Sequence, residues 1–305
     1  MSAMTREMWR GVMPAITTPL TPDDTVDHSF LAGHARRLIA SGCTGLVPLG
    51  SLGEGATLSF DEKIAILSTC VTSVGDRVPV IAGISALSTD EAIRLARAAA
   101  GVGCRGLMVL PPYVYRSDWR EMRAHVEAVI TATPLSCLLY NNPIAYGTDF
   151  VPEQVRILAA QHANLHAVKE SSGDVRRVSA IRSLLDERIA IFVGLDDAIV
   201  EGVAAGATGW VAGLVNALPD ESVMLFEHAI AGRHAPARAL YEWFLPLLRL
   251  DTIPKFVQLI KLVQQEAGLG SERVRAPRMI LDGAEREMAL ALIRERLAAR
   301  PALRV

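Results

Sequence analysis

Short apolar runs alternate with amphipathic, helix-length stretches from near the start of the chain to about residue 215. This alternation limits the possible folds more than any other feature of the sequence. The strand-like runs cover residues 12–17, 44–49, 78–82, 106–110, 135–140, 165–169, 189–193 and 208–212. They are apolar and rich in β-branched residues, and most follow a glycine or proline. Between them lie helix-like stretches at 27–40, 60–74, 89–100, 118–131, 152–160, 175–186 and 198–205, several opened by a capping residue such as Ser59, Ser88, Ser117 or Asp174. Continuous apolar strands separated by helices point to parallel pairing with the outer face covered. Eight such units close a barrel, so the expected fold is α/β, a (β/α)8 barrel. An open doubly wound sheet is the competing arrangement. After residue 218 the pattern changes to helices at 221–231, 235–248, 253–267 and 284–299 with no strand between them. The expected organisation is therefore a barrel over 1–218 and a C-terminal helical extension over 219–305 packed on it.

The chemistry-bearing feature is Lys169, which ends the run Leu165-His166-Ala167-Val168-Lys169. An ammonium in a dry site loses hydration, which favours the neutral, nucleophilic amine. On position alone, a surface lysine whose stem crosses apolar ground explains it as well. A second run, Leu135-Ser136-Cys137-Leu138-Leu139-Tyr140, favours the first explanation, because it delivers a phenol from the preceding strand. A phenol can shuttle protons for an amine that attacks a carbonyl or imine.

In a TIM barrel the site lies at the C-terminal ends of the strands. Those ends carry Thr17, the turn Gly50-Ser51-Leu52-Gly53-Glu54-Gly55, Pro111-Pro112-Tyr113, Tyr140-Asn141-Asn142-Pro143, Lys169-Glu170, Gly194-Leu195-Asp196-Asp197 and Ala212-Gly213. The glycine-rich turn can aim backbone N–H groups at a carboxylate, with Ser51 adding a hydroxyl. It matches neither the dinucleotide fingerprint nor the P-loop, so no nucleotide cofactor is expected. His162 and His166 span a loop-to-strand segment and would not share a face, so no metal is expected either. Arg176-Arg177 opens a helix and reads as a solvated face.

With 31 basic and 33 acidic residues, net charge −2, the chain gives no electrostatic reason to expect nucleic acid or an anionic membrane as partner. No apolar stretch is long enough to span a bilayer. The N-terminal residues lack the apolar segment of a secretory signal. Four scattered cysteines without Cys-x-x-Cys spacing fit a reduced, cytoplasmic setting.

Taken in order, Gly11–Pro19, Gly50–Glu54, Pro111–Tyr113, Tyr140–Pro143, Lys169–Asp174 and Asp196-Asp197 resemble the dihydrodipicolinate synthase and N-acetylneuraminate lyase superfamily of Schiff-base barrels. The resemblance implies a small 2-keto or imino acid substrate and a homotetramer built as a dimer of dimers. It makes Lys169 the imine-forming residue, Tyr140 the proton shuttle, and Ser51 with the Leu52 backbone the carboxylate holder.

The sequence also departs from the synthase pattern. The arginine expected two residues after the proline of the Tyr-Asn-x-Pro motif is Ala145, the hydroxyl usually beside Ser51 is Leu52, and the relay tyrosine exchanged between subunits falls at Val114, flanked by Tyr113 and Tyr115. The runs 50–54, 140–147, 169–177 and 209–213 are most similar to the 1-pyrroline-4-hydroxy-2-carboxylate deaminases of hydroxyproline catabolism, which form 2-oxoglutarate semialdehyde and ammonia. Thr17, Leu52, Asn142, Val114, Leu195, Trp210 and Gly213 are the further candidate pocket residues. The alternatives are dihydrodipicolinate synthase-like chemistry, a 2-keto-acid aldolase or lyase, and a barrel that binds a keto acid without turning it over.

Overall fold

The structure, a computed structural model, describes residues 4–302; the outermost ends of both expected segments, 1–3 and 303–305, lie outside them. Seven parallel strands, β1 (Gly11–Pro14), β2 (Ile81–Ile84), β3 (Gly106–Val109), β4 (Ser136–Asn141), β5 (Leu165–Glu170), β6 (Ala190–Val193) and β7 (Gly209–Ala212), pair in the order β1-β7-β6-β5-β4-β3-β2. The expected strand at 44–49 is corrected to an extended segment that closes the gap between β1 and β2 through isolated bridges, Ala15 with Val47 and Leu46 with Val80. Pro48 has no N–H to give to a ladder, and Leu49 turns the chain at φ 67°. The barrel is closed all the same: Val47 N donates to Pro14 O at 2.8 Å, and Ile81 N donates to Leu46 O at 2.8 Å.

The outer ring begins with α1 (His28–Ala40), α2 (Phe60–Val74), α3 (Thr89–Gly101) and α4 (Trp119–Thr131). It continues through the short α5 (Pro143–Tyr146), then α6 (Pro152–Gln161), α7 (Arg176–Leu185) and α8 (Ile199–Ala204). Ser59 caps α2 by accepting from Glu62 N at 3.3 Å, while Glu62 reaches back to the Ser59 N–H. The cap of α4 is Asp118 and not Ser117, because its carboxylate accepts from Glu121 N at 2.9 Å. Four further helices follow: α9 (Pro219–Ile230), α10 (His234–Leu248), α11 (Phe256–Glu266) and α12 (Gly283–Ala298). Helix α9 packs on β1 and α8, and α12 packs on α10 and α11. None of the described helices is long and apolar enough to cross a membrane.

Trp9 plugs the N-terminal end of the barrel. It is fully buried, donates from Nε1 to Ser136 Oγ at 2.7 Å and meets Phe192 edge-on at 6.0 Å. With that end filled, a ligand must enter from the C-terminal ends of the strands.

Candidate active site

Lys169 on β5 pairs in register with Tyr140 on β4, and both are buried. The ammonium Nζ lies 4.3 Å from the centroid of the Tyr140 ring. Because strand side chains alternate, the next pair, Asn141 and Glu170, faces away from the barrel interior. There Asn141 Nδ2 and Ser172 N donate to the Glu170 carboxylate at 3.1 and 2.6 Å. Gly194 makes room for the lysine stem: a Cβ there would lie 2.6 Å from Lys169 Cε.

Both groups open into a cavity of about 760 Å³, a size that suits a small metabolite. The Gly50–Gly55 turn forms one wall. Its glycines are required by close backbone approach, since a Cβ on Gly55 would sit 2.2 Å from Leu49 O and one on Gly53 2.9 Å from Ile16 O. Ser51 and Leu52 line the cavity.

Tyr146 completes the wall and was not foreseen. Its hydroxyl hydrogen-bonds Ser51 Oγ, and its ring meets Tyr140 edge-on at 5.8 Å and Tyr113 at 5.9 Å. Burial first, then the neighbouring Tyr140, pushes the Tyr146 phenol up, so its hydroxyl stays protonated and able to donate. The sequence did carry a signal for it. Asn142, with Pro143 at the first helical position and Gly147 after the last, frames one helical turn, and Asn142 Oδ1 accepts from Ala145 N at 2.9 Å. That turn brings Tyr146 back over the end of β4. Asn142 Nδ2 also donates to Tyr140 Oη at 3.0 Å.

Of the other expected residues, Asn142, Leu195 and Gly213 line the cavity. Thr17 and Trp210 do not. Thr17 Oγ1 donates to Gln264 Oε1 at 2.9 Å and Thr17 N to Asn216 Oδ1 at 3.2 Å, a buried network that ties the end of β1 to α11. Trp210 lies on the opposite strand face from the cavity-lining Val211 and donates from Nε1 to Asp196 Oδ1 at 2.9 Å. Val114 is 80 % exposed and not a pocket wall. The Arg176-Arg177 pair is split: Arg176 is exposed, whereas Arg177 is partly buried and clamps Asp149 with two contacts at 2.5 and 2.8 Å. His162 approaches Glu127 and His166 bonds Ser136, and no metal-binding group of three His, Cys, Asp or Glu side chains occurs among the described residues.

Three charged residues that sequence reasoning missed reach the cavity: Glu201 from α8, and Asp251 and Arg278 from segments flanking α11. Arg278 is placed by a clamp centred on Glu54. The Glu54 carboxylate accepts from Lys261 Nζ at 2.5 Å and from Arg275 N at 2.9 Å, and lies 4.0 Å from Arg278. Chemically, the cavity offers an amine, a phenol beside it, the hydroxyls of Ser51, Tyr146 and Thr252, carboxyls from Asp197, Glu201 and Asp251, and a guanidinium. That set can form an imine with a keto or imino acid and move protons around it.

Known proteins match this chain in sequence and fold. Residues 8–296 match the dihydrodipicolinate synthetase family. The 4-hydroxy-tetrahydrodipicolinate synthase of Natronomonas pharaonis is 37% identical over 238 residues, covering 78% of this chain and 80% of the relative. The enzyme of that name from Agrobacterium fabrum is 34% identical over 272 residues, covering 89% and 92%. Among solved structures, the 4-hydroxy-tetrahydrodipicolinate synthase of Methylacidiphilum fumariolicum SolV superposes with a TM-score of 0.89 at 29% identity, covering 95% of this chain and 97% of that one. The seven-stranded closed sheet, its helical ring and this family match identify the chain as a member of the dihydrodipicolinate synthetase family of Schiff-base lyase-type barrel enzymes.

Proposed function

We propose that this protein acts on 1-pyrroline-4-hydroxy-2-carboxylate, releasing ammonia and 2-oxoglutarate semialdehyde. The observation that carries this reading is Ala145, which lines the cavity of Lys169 where the synthase pattern places an arginine for a second acid. A cyclic imine with one carboxylate needs no such clamp. Lys169 adds to C2, and transimination breaks the C2–N1 bond, freeing the ring nitrogen as a primary amine. The iminium acidifies C3–H, and Tyr140 moves that proton with the hydroxyls of Ser51 and Tyr146 beside it. The C4 hydroxyl leaves as water. Protons then move from C5 and the freed nitrogen to C3 and C4, which shifts the new double bond to C5=N. Hydrolysis of that imine releases ammonia, and hydrolysis of the lysine imine frees the product. Ser51 and the Leu52 backbone hold the carboxylate, Asn142 orients Tyr140, and Leu195 and Gly213 shape the facing wall. The electrons stay within the lysine adduct, so the reaction calls for no redox cofactor.

A second reading, condensation of pyruvate with aspartate semialdehyde, is favoured by the names of the relatives and by Arg278, which brings a guanidinium into the cavity from another element. A coupled ammonia assay run beside a condensation assay on the same purified protein separates the two. Ammonia release with slow or undetectable condensation is expected, because a lost charge-assisted contact costs about 1.5–3 kcal/mol, roughly 10- to 100-fold. Efficient condensation without ammonia release would replace the first reading by the second.

Tyr140→Phe keeps the ring and removes only the hydroxyl. Its kcat should fall by about 10²–10⁴-fold, the usual contribution of general acid–base catalysis. Near-native turnover would move the proton to Ser51 or Tyr146 and refute the assignment.

We place the protein in a reduced cytoplasmic setting, on the support of four buried free cysteines whose thiols burial pushes up to about 12. We further propose a homotetramer, a dimer of dimers, supported by exposed apolar side chains at Leu87, Val114, Tyr115 and Ile144. The division at residue 218 is proposed as one of topology, with the extension completing the roof of the cavity.

A further inference from the structure

Two carboxyls, Asp196 and Asp251, both approach Gly213 at the end of β7, and only Asp251 opens into the cavity. Asp196 is fully buried and takes hydrogen bonds from Trp210 Nε1 at 2.9 Å, Gly213 N at 3.1 Å and Leu214 N at 2.7 Å. Asp251 ends the turn Arg249–Asp251 after α10, and its carboxyl presses on the end of β7, where a Cβ on Gly213 would meet Oδ1 at 2.2 Å. No described group donates to the Asp251 carboxyl, which lines the cavity together with Lys169. Neighbouring carboxyls in a dry site do not both ionise, and the one that has donors takes the charge. Burial first, then the charge of Asp196, pushes the Asp251 carboxyl well above the usual carboxylate range, while Lys169 opposes the shift. Asp251 is therefore a carboxylic acid with a proton to give, open to the space in which the lysine adduct must lie.

We propose that Asp251 is the catalytic acid that protonates the departing C4 hydroxyl, an assignment that rests on the deaminase reading above. In that step the enamine nitrogen lone pair re-forms the C2=N bond and the C2=C3 pair shifts to C3=C4. The C4–O bond then breaks, its electrons leaving with the oxygen. The Asp251 proton joins that oxygen to make water, and Asp251 is left as a carboxylate. Burial pushes the Asp196 carboxyl up to about 6 against the pull of its Leu214, Gly213 and Trp210 donors, so at neutral pH its charge favours keeping the proton on Asp251.

The test pairs the natural substrate with its 4-fluoro analogue, whose leaving fluoride needs no proton. Asp251→Asn keeps the side-chain shape and removes the acid. Ammonia release from the hydroxy substrate should fall by about 10²–10⁴-fold. For fluoride release from the analogue, the loss should largely vanish. Reductive trapping of pyruvate on Lys169 should be unchanged, because imine formation precedes the acid step. A second measurement uses the unaltered enzyme. Its kcat for the hydroxy substrate should decline as pH rises through the Asp251 titration, and the fluoro substrate should lack that decline. The charged groups facing Asp251 are Lys169, Asp196 and Asp197, with Arg249 4.0 Å from Asp197. Equal losses on both substrates, or none on either, would overturn the acid assignment alone. A wild-type enzyme that releases no ammonia would overturn the deaminase reading and this assignment with it.

Discussion

Lys169→Ala should abolish turnover, lowering kcat by on the order of 10⁴–10⁶-fold, the range seen when a covalent nucleophile or its activating group is lost. The expected effect is large because every later step needs the electron sink that the imine provides. Acidification of C3–H, departure of the C4 substituent and release of product all act on a lysine-bound intermediate. The fold should survive the change. Lys169 makes no ion pair among the described residues, its ammonium lies over the Tyr140 ring, and its stem occupies a slot left by Gly194. A variant with normal thermal unfolding and no activity is the expected result. Retained turnover at a tenth of the wild-type rate would mean that another group carries the chemistry.

The second large effect concerns stability. Lys261 on α11 and Glu54 in the site turn are both buried, with side chains 2% and 1% exposed, and their ion pair joins the helical extension to the barrel. Burial pushes the Lys261 ammonium down from its ordinary range, and Glu54 pulls it back up. Lys261 Nζ also donates to Arg273 O at 2.6 Å. Removing one partner leaves an uncompensated buried charge, so Lys261→Met should cost about 3–5 kcal/mol of unfolding free energy. The double change Lys261→Met with Glu54→Gln should recover part of that loss, because it removes both charges. Chemical denaturation of the wild type, the single variants and the double variant measures the coupling. A single-variant cost under about 1 kcal/mol would show that the pair is solvated and does not clamp the extension.

Much of the fold was legible because its information is local. The alternation of parallel strands and covering helices leaves a periodic trace. The second long helix was expected at 60–74 and is found at Phe60–Val74, where Ser59 and Glu62 mark its start. Errors arose where backbone chemistry interrupted that trace, as at Pro48. The last turn before α11 also misled: 253–255 continue the apolar pattern of the helix but precede Phe256, its first residue.

The site was legible only in part. Lys169 and Tyr140 stand out because each is a polar residue ending an apolar strand. Tyr146, Asp251 and Arg278 do not stand out, since their importance comes from where the chain returns in space. Tyr146 rides on a single helical turn, while Asp251 and Arg278 come from loops more than 80 residues beyond Lys169 in sequence. Thr17 and Trp210 failed for the opposite reason. They sit at strand ends or within strands where the site was expected, but strand alternation and a hydrogen-bond network turn them into structural groups.

The imine itself is open to direct observation. The chain contains four lysines, Lys63, Lys169, Lys255 and Lys261, so borohydride reduction in the presence of pyruvate followed by peptide mass mapping gives an unambiguous answer. A single reduced pyruvyl adduct on the peptide carrying Lys169 is expected, absent from Lys169→Ala, with the other three lysines unmodified. An adduct on Lys63, Lys255 or Lys261, or none on an enzyme that turns over its substrate, would contradict the account.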